Sequence, residues 1–165
     1  EQIISPETAY QMISMLEGVI QRGTGRKLRN LNLNLAGKTG TTNNNTDTWF
    51  IGFTSKLVVG IYVGFDEPAS LGRYETGAKT AMPIFKKFIL NNISKQDATP
   101  FKVPDGIVMM VVDPITGQKV DFNSKNSIYE SFKGKKMSEV DIENNYNDLI
   151  LDNSNAGIKA ITRFY

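Results

Sequence analysis

The stretch Ala36-Gly37-Lys38-Thr39-Gly40-Thr41-Thr42 decides how this sequence is interpreted. Just before it, Leu31, Leu33 and Leu35 alternate with asparagines, which is the period of a half-buried β-strand. We therefore predict a strand that begins near Asn30 and runs into this stretch.

Two further strands are predicted downstream of it. Asn43-Asn44-Asn45 is typical of a turn, and residues 48–53 and 57–65 are rich in β-branched and aromatic side chains. Ser55-Lys56 separates these two runs, as in a tight hairpin. Because sequential strands most often pair with one another, the simplest arrangement is a three-stranded, or larger, antiparallel sheet.

Two amphipathic helices are predicted to flank this sheet. Ser5-Pro6-Glu7 combines an N-cap residue, a proline at the first helical position and an acidic residue in the first turn. Gly23 marks the end of that helix. A second helical pattern begins after Gly77, and Pro83 must begin or kink the helix. The apolar faces consist of Ala9, Met12, Ile13, Leu16, Val19 and Ile20 in the first helix, and of Ala78, Ala81, Met82, Phe85, Phe88 and Ile89 in the second.

The signal weakens toward the C-terminus. Residues 97–104 form a proline-containing connector, residues 107–112 an apolar strand and residues 113–117 a turn. Beyond Asn123 the sequence is rich in asparagine and lysine and has no strong period. We therefore predict an α+β fold, with residues 1–98 as one unit and residues 99–165 as a partly irregular extension that contains β-structure.

The composition excludes several classes of chemistry. The 165 residues carry a formal net charge of +2 and contain neither histidine nor cysteine. A Ser-His-Asp triad, a Cys-His pair, a disulfide and zinc bound by histidine or cysteine are therefore impossible within this chain. So balanced a charge predicts no nucleic-acid partner. The longest apolar stretch, residues 57–65, is less than half of the roughly 20 residues that a membrane-spanning helix requires, so this segment is expected to make no membrane contact.

The residues around Lys38-Thr39-Gly40 extend the signal well beyond a tripeptide. Together they make the sequence resemble the class A, bifunctional penicillin-binding proteins, in the C-terminal half of the transpeptidase domain. The resemblance is specific over about the first 95 residues and looser after Pro100. It implies a part of the serine β-lactamase/transpeptidase fold, and no metal or organic cofactor. The matching residues are Ser5-Pro6, Leu16-Glu17-Gly18, Asp47, Trp49-Phe50, Gly52, Gly64, Asp66, Gly72, Glu75-Thr76-Gly77, Ala81, Pro83 and Ile84.

The resemblance also implies a role for each residue of the K-T-G stretch. The donor substrate of the family is a peptidoglycan stem peptide ending in D-Ala-D-Ala, and its carboxylate must be held while the preceding carbonyl is attacked. Lys38 is expected to supply positive charge and a proton relay, and the hydroxyls of Thr39 and Thr41 to donate to the carboxylate. Gly40 leaves clearance for the acyl chain, and the N–H of Thr41 supports the oxyanion. Lys38 and Thr41 are thus the candidate catalytic residues, and the candidate substrate-binding residues, for stem peptide and β-lactams alike, are Thr39, Gly40, Thr41 and Thr42.

Two further motifs of this family are not found in usable form. No serine is followed by lysine three positions later, so the nucleophile motif S-x-x-K is absent. The S-x-N match at Ser124-Lys125-Asn126 comes after K-T-G, whereas the family places it before, and we interpret it as chance. We therefore expect a piece of a longer D,D-transpeptidase, whose nucleophile, glycosyltransferase domain and membrane anchor lie upstream of Glu1.

This interpretation carries further expectations for the chain and its parent. Without the serine, the chain alone is expected to be inactive and to form no adduct with β-lactams. The parent is expected at the extracytoplasmic, periplasmic face of the bacterial inner membrane. Apolar surface that the rest of the domain would cover predicts self-association of this segment on its own.

Three alternatives compete with the transpeptidase interpretation. Gly37-Lys38-Thr39 matches the end of a nucleotide-binding loop, but Asn32 stands where the first glycine belongs and a turn follows where a helix is required. A β-lactamase shares K-T-G, but Asp47 and Trp49-Phe50 favour a synthetic enzyme. The third is a non-catalytic interaction module in residues 107–165. Its scattered aromatic residues, interpreted as satellite packing, are Tyr129, Phe132, Tyr146, Phe164 and Tyr165.

Several other side chains have simple structural interpretations. We expect Trp49 to pack in the sheet interior, because a buried tryptophan contributes a large apolar area. Asp47 is expected to cap the turn before it or to pair with a nearby cation. Met12 and Met15 are interpreted as packing residues of the first helix rather than as a binding site.

Overall fold

The computed structural model describes residues 1–134, which form two α-helices and two antiparallel sheets. The larger sheet has the strand order β1-β2-β3, and the smaller one pairs β4 with β5. The α+β class and the three-stranded antiparallel sheet predicted from the sequence are confirmed. Within this range no helix is both long enough and apolar enough to span a membrane. In chain order the elements are α1 (Pro6–Gln21), β1 (Ala36–Thr41), β2 (Asp47–Phe53), β3 (Val58–Gly64), α2 (Ala81–Asn92), β4 (Ile107–Val112) and β5 (Ile128–Lys133).

Helix α1 begins and ends where its sequence signals predict. The hydroxyl of Ser5 accepts a hydrogen bond from the N–H of Thr8 at 3.3 Å, and Pro6 occupies the first helical position. The missing N–H of proline costs nothing there, because the first N–H groups of a helix have no partner within it. At the other end, the N–H of Gly23 donates to the carbonyl of Val19 at 3.1 Å and closes the last turn.

The strand predicted before β1 is wrong. Arg26–Leu31 forms a 3-10 helix, and Asn32 follows it in the left-handed region with φ 52° and ψ 43°. Asparagine is among the few residue types that adopt this region readily. The three leucines of the alternation still contribute to the interior, since Leu35 is buried and Leu31 and Leu33 pack, partly buried, against the core. Their alternation therefore reported burial and not an extended backbone.

The hydrophobic core lies on one face of the larger sheet. Side chains of a strand alternate between faces, so Phe50 of β2 is buried while its neighbours Trp49 and Ile51 are exposed on the opposite face. The rings of Phe50 and Phe85 of α2 lie 4.8 Å apart between centroids and are tilted by 56°. Both helices contribute to this core, whose remaining members are Ile20, Leu28, Leu35, Ala81, Met82 and Ile89.

Four apolar side chains that were predicted to be packed are exposed instead, one of them Phe88 of α2, which is 40% exposed. Met12 is 49% exposed, Met15 is 53% exposed and Trp49 is 41% exposed. Helix α1 carries more apolar residues than its contact with the core can cover, and it buries the side that carries Ile20. Trp49 lies on the sheet face away from the core, where its ring lies 4.8 Å from that of Tyr62.

The smaller sheet packs against α1. The side-chain amide of Gln11 donates to the carbonyl of Ser131 at 3.2 Å, and Arg22 forms an ion pair with Glu130. The sequence predicted β4 but not β5, because β5 is polar and becomes a strand through its pairing with β4. Within the extension Tyr129 contacts the ring of Phe122 at 6.2 Å between centroids and is exposed, whereas Phe132 is half-buried. The aromatic residues Tyr146, Phe164 and Tyr165 lie outside the described residues.

Phe85→Ala should destabilise the fold strongly. The Phe85 ring is fully buried against Phe50, and loss of a buried phenylalanine ring typically costs about 3–5 kcal/mol. Phe88→Ala is the matched control, because Phe88 lies on the same helix and is 40% exposed. It should cost less than about 1 kcal/mol. Urea unfolding followed by circular dichroism measures both free energies, and equal losses would contradict the assignment of the core.

Candidate functional site on strand β1

Strand β1 carries the Lys38-Thr39-Gly40-Thr41 stretch and lies at the edge of the larger sheet. It pairs with β2 in an antiparallel register that places Gly40 opposite Trp49 and Thr41 opposite Thr48. Within residues 1–134 no strand pairs with the other edge of β1. The motif therefore lies along an open sheet edge.

The register decides which backbone groups of β1 face that open edge. Thr42 lies opposite Asp47, and its N–H donates to the carbonyl of Asp47 at 3.0 Å. Antiparallel pairs alternate between those that exchange hydrogen bonds and those that do not. Gly40 is therefore bonded to β2, whereas the N–H and C=O groups of Thr39 and Thr41 point to the open edge.

Lys38 brings a positive charge to the same edge. Its Nζ donates to the carbonyl oxygen of Thr39 at 2.8 Å, and its side chain is exposed. That carbonyl points away from β2, so the hydrogen bond holds the ammonium group beside the open edge. A hydrogen bond to the backbone of the motif itself thus positions the positively charged group that was predicted from the sequence.

The hydroxyl of Thr41 is held by a loop from outside the sheet. The N–H of Gly77, in the segment before α2, donates to Oγ1 of Thr41 at 3.1 Å. A hydroxyl has one hydrogen to donate and two lone pairs that accept. The bond from Gly77 uses a lone pair, which leaves the Thr41 hydrogen available for an acceptor.

Gly77 approaches the sheet closely because no side chain covers the backbone there. The side chain of Trp49 points to the opposite face of the pleated sheet, and Gly40, which lies opposite Trp49 on β1, has no side chain. A Cβ at Gly77 would overlap the carbonyl oxygen of Trp49 and lie 2.6 Å from that of Gly40. A second contact holds the same segment, since the hydroxyls of Thr80 and the buried Thr48 are 2.6 Å apart.

The hydroxyl of Thr39 has a partner on the turn after α1. Its Oγ1 lies 3.1 Å from Oγ1 of Thr24. Thr24 was not among the residues predicted for the site, because a threonine between two glycines, at Gly23-Thr24-Gly25, is also what an ordinary turn contains. No local sequence signal marked it, because the packing of α1 beside β1 is seen only in the structure.

Thr42 is held differently from the other two threonines. Its hydroxyl accepts from the N–H of Asp47 at 2.8 Å and lies 2.8 Å from the hydroxyl of Thr46. These bonds close the turn at residues 43–45, as predicted for the asparagines there. Asp47 caps the turn, as expected, through contacts of its carboxylate with the hydroxyls of Thr42 and Thr46. Contact of Thr42 with a substrate stays a prediction.

The carboxylate of Asp47 also joins the outer face of the sheet. It accepts a hydrogen bond from the hydroxyl of Tyr62 at 2.8 Å. This bond raises the pKa of Tyr62, because an ionised phenol beside the carboxylate would lose the bond and be repelled. The phenol therefore remains a neutral donor, next to the exposed ring of Trp49.

The S-x-N match lies away from β1, and the described residues offer no cluster of side chains for a metal ion. Ser124-Lys125-Asn126 belongs to the segment that leads into β5, in the smaller sheet, and not to the larger sheet. Among the described residues no group of three or more histidine, cysteine or carboxylate side chains could hold a metal ion.

Comparisons with known proteins agree with this architecture. Residues 1–90 match a family model described as the penicillin-binding protein transpeptidase domain. Penicillin-binding protein 1A of Rickettsia bellii is 44% identical over 149 residues, which cover 87% of this chain and 18% of that protein. Penicillin-binding protein 1A of Pseudomonas aeruginosa is 42% identical over 136 residues, which cover 82% of this chain and 16% of that protein.

A crystal structure gives the same result at the level of the fold. Penicillin-binding protein 1A from Haemophilus influenzae superimposes with a TM-score of 0.69 at 31% identity, over 81% of this chain and 22% of that chain. The chain therefore spans less than a quarter of the length of each of these relatives. The resemblance identified from the K-T-G stretch and its flanking residues is confirmed, and the chain belongs to the family of penicillin-binding protein transpeptidase domains.

Proposed function

We propose that this chain forms the K-T-G wall of a peptidoglycan D,D-transpeptidase that cross-links stem peptides through an acyl-serine intermediate. The family match over residues 1–90 supports the reaction class. The observation that carries the proposal is the open edge of β1. Along it lie the ammonium group of Lys38, the outward N–H and C=O groups of the strand, and two hydroxyls, of Thr39 and Thr41, that are hydrogen-bonded to neighbouring segments. Since the sequence has no S-x-x-K, the nucleophilic serine comes from another part of the parent.

The first task of this wall is to bind the carboxylate at the end of the donor peptide. Lys38 supplies the charge, and the hydroxyls of Thr39 and Thr41 supply hydrogen-bond donors. Hydrogen bonds to an ionised carboxylate are roughly twice as strong as neutral ones. β-Lactams, which carry a comparable carboxylate beside a reactive carbonyl, would use the same groups.

The second task is to stabilise the negative charge that develops when serine attacks the carbonyl. The serine oxygen forms a bond to the carbonyl carbon, and the carbonyl oxygen becomes an oxyanion. The N–H of Thr41 points outward from β1 and can donate to that oxygen. A single donor of this kind is typically worth about 3 kcal/mol of transition-state stabilisation. Collapse of the intermediate breaks the C–N bond and expels D-alanine, whose nitrogen takes up the proton that the serine hydroxyl lost on attack. The acyl-serine that remains is then attacked by the amine of a second stem peptide.

The acyl chain would lie along β1 as an added strand. The outward N–H and C=O groups of Thr39 and Thr41 provide main-chain hydrogen bonds for such a strand. Gly40 keeps this segment clear, and a Cβ there would already lie 3.2 Å from the Cβ of Trp49. Binding and acylation would thus use the same edge.

The layout proposed for the parent rests on the family to which the chain belongs. We assign residues 1–98 to the transpeptidase domain and residues 99–165 to an extension, with the glycosyltransferase domain and membrane anchor elsewhere in the parent, at the periplasmic face of the inner membrane. The contacts of β5 with α1 favour a structural role for the described part of the extension over a separate interaction module. The exposed outer face of the sheet fits contact with the rest of the domain, or self-association in its absence; its large apolar residues include Trp49, Ile51, Val58 and Tyr62.

Covalent labelling tests the proposed function. The full-length parent should form a stable adduct with a fluorescent penicillin, visible after denaturing electrophoresis, whereas residues 1–165 alone should form none because the nucleophile is missing. Prior treatment of the parent with unlabelled penicillin should abolish the signal. An adduct on residues 1–165, or none on the folded parent, would refute the assignment.

Lys38→Met in the parent should lower the acylation rate constant by about 100-fold, because the charge and the proton relay are lost together. Lys56→Met is the matched control, since Lys56 is an exposed lysine in the turn between β2 and β3. Stopped-flow or quenched labelling gives both constants. If the two variants acylate equally fast, Lys38 has no role in the site.

Gly77→Ala should weaken both the fold and the site. The new methyl group meets backbone oxygens that cannot move aside, and overpacking of this kind typically costs about 1–3 kcal/mol. Movement of the loop would also break its bond to Thr41, so acylation should slow. Gly60→Ala serves as the control, because the nearest atom to a Cβ at Gly60 is 4.0 Å away, in Ile51. Thermal unfolding and penicillin labelling of the two variants should differ clearly, and similar values would show that the close approach of Gly77 is unimportant.

A further inference from the structure

We propose that Thr24 is a positioning residue for the K-T-G site. Its hydroxyl donates to Oγ1 of Thr39 and so turns the hydroxyl hydrogen of Thr39 toward the carboxylate of the substrate or β-lactam. This inference rests on the proposed function and adds to it a residue from outside the motif.

The hydroxyl hydrogens of Thr24 and Thr39 decide the direction of the bond between them. Thr24 and Thr39 have their hydroxyl oxygens 3.1 Å apart, and either one can be the donor from geometry alone. Each threonine has a single hydroxyl hydrogen. If Thr39 is to donate to a carboxylate, its hydrogen is committed, so the bond within the pair must use the hydrogen of Thr24. Carboxylate binding therefore fixes the direction of this bond.

The hydroxyl of Thr41 is held in a parallel way. There the partner is the backbone N–H of Gly77, which can only donate, at 3.1 Å from Oγ1. Both threonines of the motif thus accept a hydrogen bond from a neighbouring element and keep their hydrogen for another acceptor. Thr24 and Gly77 belong to different segments, one after α1 and one before α2. The same arrangement is therefore built twice, from two sides.

The turn that carries Thr24 is well anchored. The N–H of Gly25 donates to the carbonyl of Val19 at 3.0 Å, and the N–H of Leu28 donates to the carbonyl of Gly25 at 2.8 Å. Gly25 is buried, and a Cβ there would lie 2.8 Å from Cδ1 of Ile20. A hydroxyl presented from such a turn can orient its neighbour, because its own position is set by the core.

The experiment measures how strongly the full-length parent prefers a ligand with a carboxylate. The two probes are benzylpenicillin and its uncharged methyl ester, each measured by competition against a fluorescent penicillin. The ratio of their acylation constants reports carboxylate recognition, whereas a general loss of activity lowers both constants together. Thr24→Val should reduce this ratio about fivefold, the size expected for one lost hydrogen bond in a site that binds a charge. Thr24→Ser, which keeps the hydroxyl, should restore the ratio to within about twofold of the wild type.

A matched control removes a comparable hydroxyl pair elsewhere. The hydroxyls of Thr99 and Ser55 are 2.8 Å apart, and both residues are exposed near the turn between β2 and β3. Thr99→Val makes the same chemical change as Thr24→Val and should leave the ratio unchanged.

A double-mutant cycle separates positioning from direct contact. If Thr24 acts through Thr39, then Thr24→Val should reduce the ratio no further once Thr39→Val is present. Independent, multiplying effects would show that Thr24 touches the ligand itself and would overturn the inference. An unchanged ratio in Thr24→Val, including the case in which both acylation constants fall by the same factor, would overturn it as well. Failure of the wild-type parent to react with either probe would instead refute the proposed function, on which this inference depends.

Discussion

The antiparallel pairing of β1 with β2 is the constraint on which the candidate site depends. The turn closed between Thr42 and Asp47 sets its register, and the register sends the N–H and C=O groups of Thr39 and Thr41 to the open edge. A slip by one residue would turn these groups inward and move every side chain of β1 to the other face. The lysine, the hydroxyls and the backbone donors would then no longer lie along one edge.

The rest of the described structure holds this edge from two sides. The turn after α1 brings Thr24 to Thr39, and the loop before α2 brings Gly77 to Thr41. Each helix also contributes to the core on the face that carries Phe50, so the burial of apolar side chains and the placement of the two hydroxyls are linked. Core packing is thereby coupled to the geometry of the candidate site at the edge.

The extension is tied into the same arrangement. Glu130 of β5 forms an ion pair with Arg22, which lies at the end of α1 and next to the turn that carries Thr24. An exposed ion pair contributes little to stability by itself. Its position nevertheless links the smaller sheet to the segment that reaches the K-T-G strand, so the smaller sheet is part of the scaffold around α1.

Much of the fold and the core of the candidate site could be predicted from the sequence, because they depend on local chemistry. Ser5-Pro6 set the start of α1, the apolar runs after Asp47 set two strands, and the K-T-G stretch with its flanks identified the family. The failures were of another kind. Leucine alternation before β1 reported burial rather than backbone conformation, and Trp49 turned out to lie on the face away from the core.

The sequence by itself therefore determined both helices, most of the strands, the family and the residues of the motif. The tertiary structure alone decided which groups hold that motif in place. Thr24 and Gly77 lie far from Thr39 and Thr41 along the chain, and no local pattern marks a hydroxyl or an amide as a partner. Such contacts exist only after the core brings two segments against one strand, because a hydrogen bond depends on distance in space and not on distance in sequence.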